Sequence, residues 1–324
     1  MHIRPNIFNG VLVEPYKLGK RTLKVLTGYA SSAFVYHVLE TLPEVKLELI
    51  IGMANKDGIN RWDHEEFKRI CNDTNRMAVY YYTGNPPIHS KVVTWNQEDS
   101  TTDKLIFTGS ANFSWNGFRD YQEIMVETDP QYTNSIFNIT EIIECTDPNV
   151  EQHIQLNDIS MNRQRQIFIP QQTEAIGNVP IDPSNLEFVD VSLKMYNGND
   201  VHEKSGLNWG QRPGREPNQA YIPVKREIHK NNPDFFPDTK EEFTIITDDG
   251  KSLICVMAQD NRKAIETCRN NSILGIYFRG RLGVPAGQKV ESAALSTYGR
   301  DSVRIYKINK ETYFMDFSNN ADCK

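Results

Sequence analysis

The chain has 324 residues, 39% hydrophobic and 24% charged, which supports packed cores and excludes general disorder. Its formal net charge is -6 and its isoelectric point is near 5.7, so bulk charge does not argue for a polyanionic partner; only basic residues gathered on one face could. Cys71, Cys145, Cys255, Cys268 and Cys323 are scattered, without zinc-finger spacing and odd in number, which points to reduced thiols rather than a disulfide framework.

Length allows two domains. Residues 1–6 lack a signal peptide's apolar core and no apolar run could span a bilayer, so a cytoplasmic protein is expected.

In chain order, Leu23 to Tyr29 reads as a buried strand. Ala30-Ser31-Ser32 opens a helix carrying Phe34, Val35, Val38 and Leu39, with Pro43 beyond its end. Val45 to Met53 is a second strand, Asp63 to Asn72 a helix, and Met77 to Tyr82 a third strand rich in aromatic and β-branched residues. The alternation predicts an α/β domain with a mixed sheet covered by helices. Ser135 to Cys145, with Ile136, Ile139, Ile142 and Ile143, is expected to close it as a helix.

Between these elements lies the stretch that carries chemistry. Ile88-His89-Ser90-Lys91-Val92-Val93 places His89 and Lys91 on one face if it is a strand. Lys104 to Thr108 reads as the next strand and delivers Gly109-Ser110-Ala111-Asn112 at a turn; Ile124 to Glu127 reads as a third, with Glu123 at its mouth. Paired side by side, these strands bring His89, Lys91, Asn112 and Glu123 to one sheet end. A lone histidine or a lone Gly-Ser turn is ordinarily structural; the joint pattern within one short window suits phosphodiester chemistry without a metal. A neutral imidazole can attack phosphorus, lysine and asparagine can hold phosphoryl oxygens, and a carboxylate can fix the imidazole tautomer.

His-x-Lys, then Gly-Ser-x-Asn, then an acidic residue resembles the signature of the phospholipase D superfamily. The resemblance implies His89 as nucleophile, Lys91 and Asn112 as phosphate binders, Glu123 as partner of His89, and Ser110 as a hydroxyl able to touch phosphate. The aspartate that follows His-x-Lys in many lipases has no counterpart at that spacing, since Asp99 and Asp103 sit in a loop. This favours the nuclease branch. Only one copy of the signature is present; His202-Glu203-Lys204 has the first spacing but no Gly-Ser-x-Asn after it. The reaction needs a second histidine as general acid. A two-fold dimer, the arrangement of single-motif members of this superfamily, supplies His89 from each chain.

Residues 146–183 are rich in Pro, Gln and Asn and read as an ordered linker, with Ile167-Phe168-Ile169 either packing on one domain or lying as a short strand, and the domain boundary near 175. From Leu186 the pattern is β-rich. Leu186 to Leu193, Tyr221 to Ile228, Phe243 to Thr247, Leu253 to Met257, Val303 to Ile308 and Thr312 to Phe317 are strand candidates, and Ser272 to Leu282 is a helix stopped by Gly283. This predicts a small, partly open barrel. Val201 to Ala220 is too long and polar for a hairpin turn, and so is a functional or disordered loop. From His202 to Lys230 six Lys or Arg stand against three Glu, a local basic excess in an acidic chain. A second arm runs Gln259 to Lys263 and on to Arg269. Side chains suited to reading or gripping DNA are Asn208, Trp209, Gln211, Arg212, Arg215, Asn218 and Lys225 from the first arm and the residues after it, and Arg262, Lys263 and Arg269 from the second.

This order of strands and arms resembles the plant B-three pseudobarrel, which grips the DNA major groove. The whole arrangement resembles the metal-independent type II restriction endonucleases of the BfiI and NgoFVII kind, helped by the Asn-Trp-Gly-Gln-Arg loop and the Asn-Ser-Ile-Leu-Gly helix start. The resemblance implies an α/β phospholipase-D-like nuclease domain over residues 1–174 and a β-rich pseudobarrel over 175–324. It also implies site-specific hydrolysis of double-stranded DNA through a covalent phospho-histidine, no cofactor or metal, a homodimer through the catalytic domain, no membrane, and a cognate DNA methyltransferase in the same system. The competing expectations are a non-specific phosphodiesterase of the superfamily and a DNA-binding regulator with an inactive nuclease domain.

Overall fold

A computed structural model describes residues 6–97, 100–129, 137–161, 166–170, 178–194 and 200–319. The chain divides into two compact units, one formed mainly by residues up to Asp158 and the other mainly by residues from Val179 onward. The boundary expected near 175 lies outside the described residues.

The first unit is built on β1 (Thr22–Thr27), α1 (Ser32–Thr41), β2 (Lys46–Ile51), α2 (Arg61–Thr74), β3 (Met77–Tyr82), β4 (Lys91–Gln97), β5 (Ser100–Gly109), β6 (Met125–Thr128) and β7 (Ile142–Glu144). They form one seven-stranded sheet in the order β6-β5-β4-β1-β2-β3-β7. β1, β2 and β3 run parallel, joined by the two helices. β4 is antiparallel to β1, and β5 and β6 continue antiparallel from it. The carboxyl ends of β1, β2 and β5 therefore meet the amino ends of β4 and β6 along one edge, the place where open α/β sheets receive ligands. Core residues Val35, Val38, Phe67 and Ile70 bury the inner stripes of the helices. The buried Asp63 carboxylate on α2 accepts the Ser32 backbone N–H at 2.8 Å, fastening the start of α1.

Residues 137–145 are not the helix that the isoleucine spacing suggests; Ser135 and Ile136 lie outside the described residues. Ile142–Glu144 instead adds to the sheet as β7, antiparallel to β3. Ile139 and Ile142 pack on the cluster of Leu26, Ile50, Val92 and Ile106. The spacing of three favours a helix, and pairing with the open backbone edge of β3 overrides that local preference.

The second unit contains β8 (Phe188–Ser192), β9 (Ile222–Pro223), α3 (Arg226–Asn231), β10 (Glu242–Thr247), β11 (Ser252–Ala258), β12 (Ala264–Thr267), α4 (Ser272–Leu282), α5 (Ser292–Tyr298), β13 (Ser302–Lys307) and β14 (Thr312–Asp316). Its sheet runs β8-β13-β14-β10-β11-β12-β9, antiparallel except for the β10–β14 pair. The end strands β8 and β9 approach one another, so the sheet is a nearly closed barrel around a core that includes Val191, Phe243, Ile265, Phe278 and Met315. Gly283, with φ 66°, ends α4 in the left-handed conformation expected of a glycine cap.

Three sequence expectations change here. Tyr221 to Ile228 is not one strand: pairing stops at Pro223, which lacks an N–H, and α3 follows. Strand β12 and helix α5 lie where the sequence pattern marks neither, because Ala264–Thr267 falls between basic arm residues and Ser292–Tyr298 has a weak apolar stripe. Residues 201–220 form a packed segment with a 3-10 stretch, Gly206–Gln211, in which Leu207 and Asn208 are fully buried.

Candidate active site and DNA-binding face

His89 lies just before β4, not within it; the strand begins at Lys91. The extended residues 87–90 dock on the end of β2, where Ile88 N–H donates to Gly52 O at 3.0 Å. At Gly52 a Cβ would run into the Ile88 carbonyl, so glycine is what permits this close approach. Lys91 is opposite Gly109 on β5, and Gly109 is opposite Met125 on β6. The register thus gathers His89, Lys91, Ser110, Asn112 and Glu123 at one sheet edge.

The Lys91 side chain is buried. Its Nζ donates to the His89 carbonyl at 2.8 Å and stands 3.0 Å from the imidazole Nε2 and 3.1 Å from Nδ1. Asn112 Oδ1 accepts from Tyr29 N–H at 3.2 Å and lies 3.3 Å from the Thr27 hydroxyl oxygen, leaving the NH2 end of the carboxamide for a ligand. Glu123 accepts a hydrogen bond from the Ser110 hydroxyl, and that hydroxyl also receives Ile124 N–H at 3.2 Å. Within one chain, Glu123 is therefore bonded to Ser110 rather than to His89.

Burial and the adjacent Lys91 ammonium hold the His89 imidazole below its ordinary range, against the opposing charge of Asp57. Burial likewise lowers the Lys91 ammonium, with Glu123 opposing. A histidine that stays neutral beside a cation is chemically suited to attack phosphorus. Tyr29 and Asp57 were not singled out from the sequence. The Tyr29 ring meets the His89 ring edge-on at 6.0 Å, and its hydroxyl is hydrogen-bonded to Asp57. No motif spacing marks them; they reach the site through the ends of β1 and β2.

In the second unit a cleft of about 570 Å³ opens between the segment after β8, the residues around β9, and the turn 259–263. Lys194, His202, Tyr221, Lys225, Gln259 and Lys263 line it. Lys225 and Lys263 were expected from the sequence; Lys194, Tyr221, Gln259 and His202 come from the fold. The turn carries three non-glycine residues with positive φ, Gln259 at 61°, Asn261 at 60° and Arg262 at 54°, a concentration of backbone strain typical of functional loops.

The other residues expected on this face divide by accessibility. Asn208 is fully buried: its NH2 donates to His202 O and Val290 O at 3.0 and 2.7 Å, and its Oδ1 accepts Val290 N–H at 2.7 Å. It holds the loop and has no reach to a base. Gln211 donates to Pro217 O and Gly287 O, both at 3.1 Å, and Asn218 bonds Gly287 N–H at 2.6 Å and Glu216 at 3.0 Å. Arg262 folds back on the carbonyls of Pro233 and Phe236, both at 3.3 Å. Arg212 and Arg215 are exposed, with Arg215 stacked 3.7 Å over the half-buried Trp209 ring. Arg269 is half-buried after β12.

Among the described residues, no helix is long and apolar enough to cross a membrane. No curated protein matches the chain. Two similar solved structures are a polyphosphate kinase from Porphyromonas gingivalis and NucT from Helicobacter pylori. The first is 16% identical with a TM-score of 0.31, over 42% of this chain and 20% of that one. The second is 17% identical with a TM-score of 0.29, over 41% of this chain and 85% of that one. This chain thus spans about a fifth of the kinase. Residues 5–155 match the family model of the NgoFVII restriction endonuclease N-terminal PLD domain. Residues 183–309 match that of the NgoFVII C-terminal B3-like DNA-binding domain. With both domains matched in order over most of its length, the chain belongs to the NgoFVII family of restriction endonucleases, its first unit matching the family's PLD domain and its second the B3-like DNA-binding domain.

Proposed function

We propose that the protein cuts double-stranded DNA at a short specific sequence, without a metal, through a covalent phosphate bond to His89. The observation that carries this reading is the placing of the Lys91 ammonium against the His89 imidazole, at the same sheet edge as Asn112. The imidazole lone pair forms the N–P bond, and the P–O bond breaks with its electron pair on the leaving oxygen. Lys91 and the Asn112 NH2 hold the phosphoryl oxygens while charge builds on them. The leaving oxygen takes a proton from a second imidazole, which then accepts one from a water as its oxygen bonds to phosphorus and the N–P bond breaks with its electron pair returning to His89.

That second imidazole is His89 of another copy of the chain. Tyr121 and Ile124, on either side of Glu123, are exposed large side chains beside the site, at 63% and 50%, as a two-fold contact there needs. In such a dimer Glu123 is the carboxylate we assign to steadying one imidazole. In the second unit, the cleft lined by Lys194, Lys225 and Lys263 receives the DNA backbone, and exposed Arg212 and Arg215 are the side chains with reach to base edges. A matching DNA methyltransferase would protect the host's own sites.

The test is digestion of a defined plasmid with the products mapped. Discrete fragments support the reading, a smear assigns a non-specific nuclease, and tight binding without cutting assigns a regulator. His89→Ala should bind DNA and leave it uncut, and acid-labile phosphate should appear on His89 in rapidly quenched wild-type reactions.

A further inference from the structure

Of the strands whose ends lie nearest His89, β1 and β2 contribute no group given a role in the proposed reaction. The residues following these two strands, Gly28-Tyr29 and the helical turn Ala54–Asp57, meet beneath His89. Tyr29 is held on three sides. Its N–H donates to Asn112 Oδ1 at 3.2 Å, its carbonyl accepts the Thr27 hydroxyl at 2.9 Å and Phe113 N–H at 3.2 Å, and its hydroxyl is bonded to Asp57. Asp57 is fixed in turn: its N–H donates to Met53 O at 2.9 Å and its carbonyl accepts Asn157 Nδ2 at 2.9 Å. The Tyr29 ring stands edge-on to the imidazole, at an interplanar angle of 76°. One residue thus touches the backbone-held Asn112, the nucleophile's ring and a carboxylate.

We propose that Tyr29 and Asp57 act as a positioning pair for His89: the Tyr29 ring sets the plane of the imidazole, and its hydroxyl holds the Asp57 carboxylate where it offsets the positive charge the ring gains on bonding to phosphorus. This rests on His89 being the nucleophile. An imidazole that attacks phosphorus while still carrying its other N–H becomes cationic, and the cations already facing it, Lys91 from β4 and Lys56 from the turn, oppose that charge. Asp57 is the carboxylate that acts in the other direction, while Glu123 acts on Lys91. Burial and Asp57 together also raise the Tyr29 phenol well above its ordinary range, so it stays a hydrogen-bond donor. Neither residue touches the scissile phosphate in this account.

The experiment is an NMR titration of the full-length chain with labelled histidine, in which the His89 resonance is the one of seven missing from His89→Ala. Asp57→Asn should lower the His89 midpoint, because a carboxylate favours the charged ring, and Asp57→Glu should restore part of it. In DNA cleavage the same variant should lose rate while its acid limb moves to lower pH, a shift that loss of packing alone would not produce. Tyr29→Phe should alter the His89 titration in the wild-type background and not in Asp57→Asn. An unmoved midpoint in a folded Asp57→Asn protein, checked by circular dichroism, overturns the proposal. The titration reads His89 without turnover: if the wild type cuts no DNA, the functional reading fails while the pair is still tested.

Discussion

Gly28 and His89 lie so close that a Cβ on residue 28 would stand 2.9 Å from the imidazole Cδ2. The same Cβ would come within 3.3 Å of Asn112 Oδ1. The floor of the site is therefore backbone, and the His89 and Asn112 side chains rest on it together. Gly28→Ala should push both side chains while leaving the sheet intact. A displacement of this kind costs roughly 10–100-fold in rate where reacting groups must be aligned. Cleavage should fall by about that factor with DNA affinity and thermal midpoint nearly unchanged; full activity in the variant would show that the ring is free to move.

The pH dependence follows from the direction of the His89 shift. Burial and Lys91 lower the imidazole, so the neutral, nucleophilic form persists to a lower pH than in a solvated histidine and is lost as pH falls through that lowered value. Lys91→Gln removes a neighbouring cation and should move the acid limb of single-turnover cleavage to higher pH, while lowering the plateau through loss of a phosphate contact. This is the opposite direction to the shift expected for Asp57→Asn, so the two variants check one another.

On the proposed mechanism, with His89 as nucleophile and Lys91 and Asn112 stabilising charge, cleavage should proceed in excess EDTA at the rate seen with added magnesium. Matched digests at several chelator concentrations decide this. Complete loss of cutting, restored by a divalent ion, would exclude the metal-free route.

The two classes of residue on the second unit predict different losses. Asn208→Ala leaves Val290 N–H unsatisfied in the core and should destabilise the second unit by about 1–3 kcal/mol, read in a denaturant melt, with little change in DNA affinity of the folded protein. Substituting Lys194, Lys225 or Lys263 by Gln should spare stability and reduce the salt dependence of DNA binding by about one released counterion each. If the lysine variants bind with an unchanged salt slope, the cleft is not the DNA face.

By itself the sequence determined the main alternation of strands and helices from residue 23 to residue 82, the three motif strands, and the helix Ser272–Leu282. In these segments hydrophobic period, turn residues and caps agree, and local information is enough. The His-x-Lys and Gly-Ser-x-Asn pattern was legible for the same reason: its members lie within a few residues of strand ends, and adjacent antiparallel strands bring those ends together. Only the tertiary structure decided the rest. Residues 137–145 became a strand because an open sheet edge was there to pair with, which no local period records. Tyr29 and Asp57 entered the site through the parallel order of β1 and β2, with twenty-seven intervening residues and no shared motif. Asn208 and Arg212 look alike in a polar loop, yet the fold buries one on backbone partners and leaves the other in solvent, because burial belongs to the packed surface and not to the residue type.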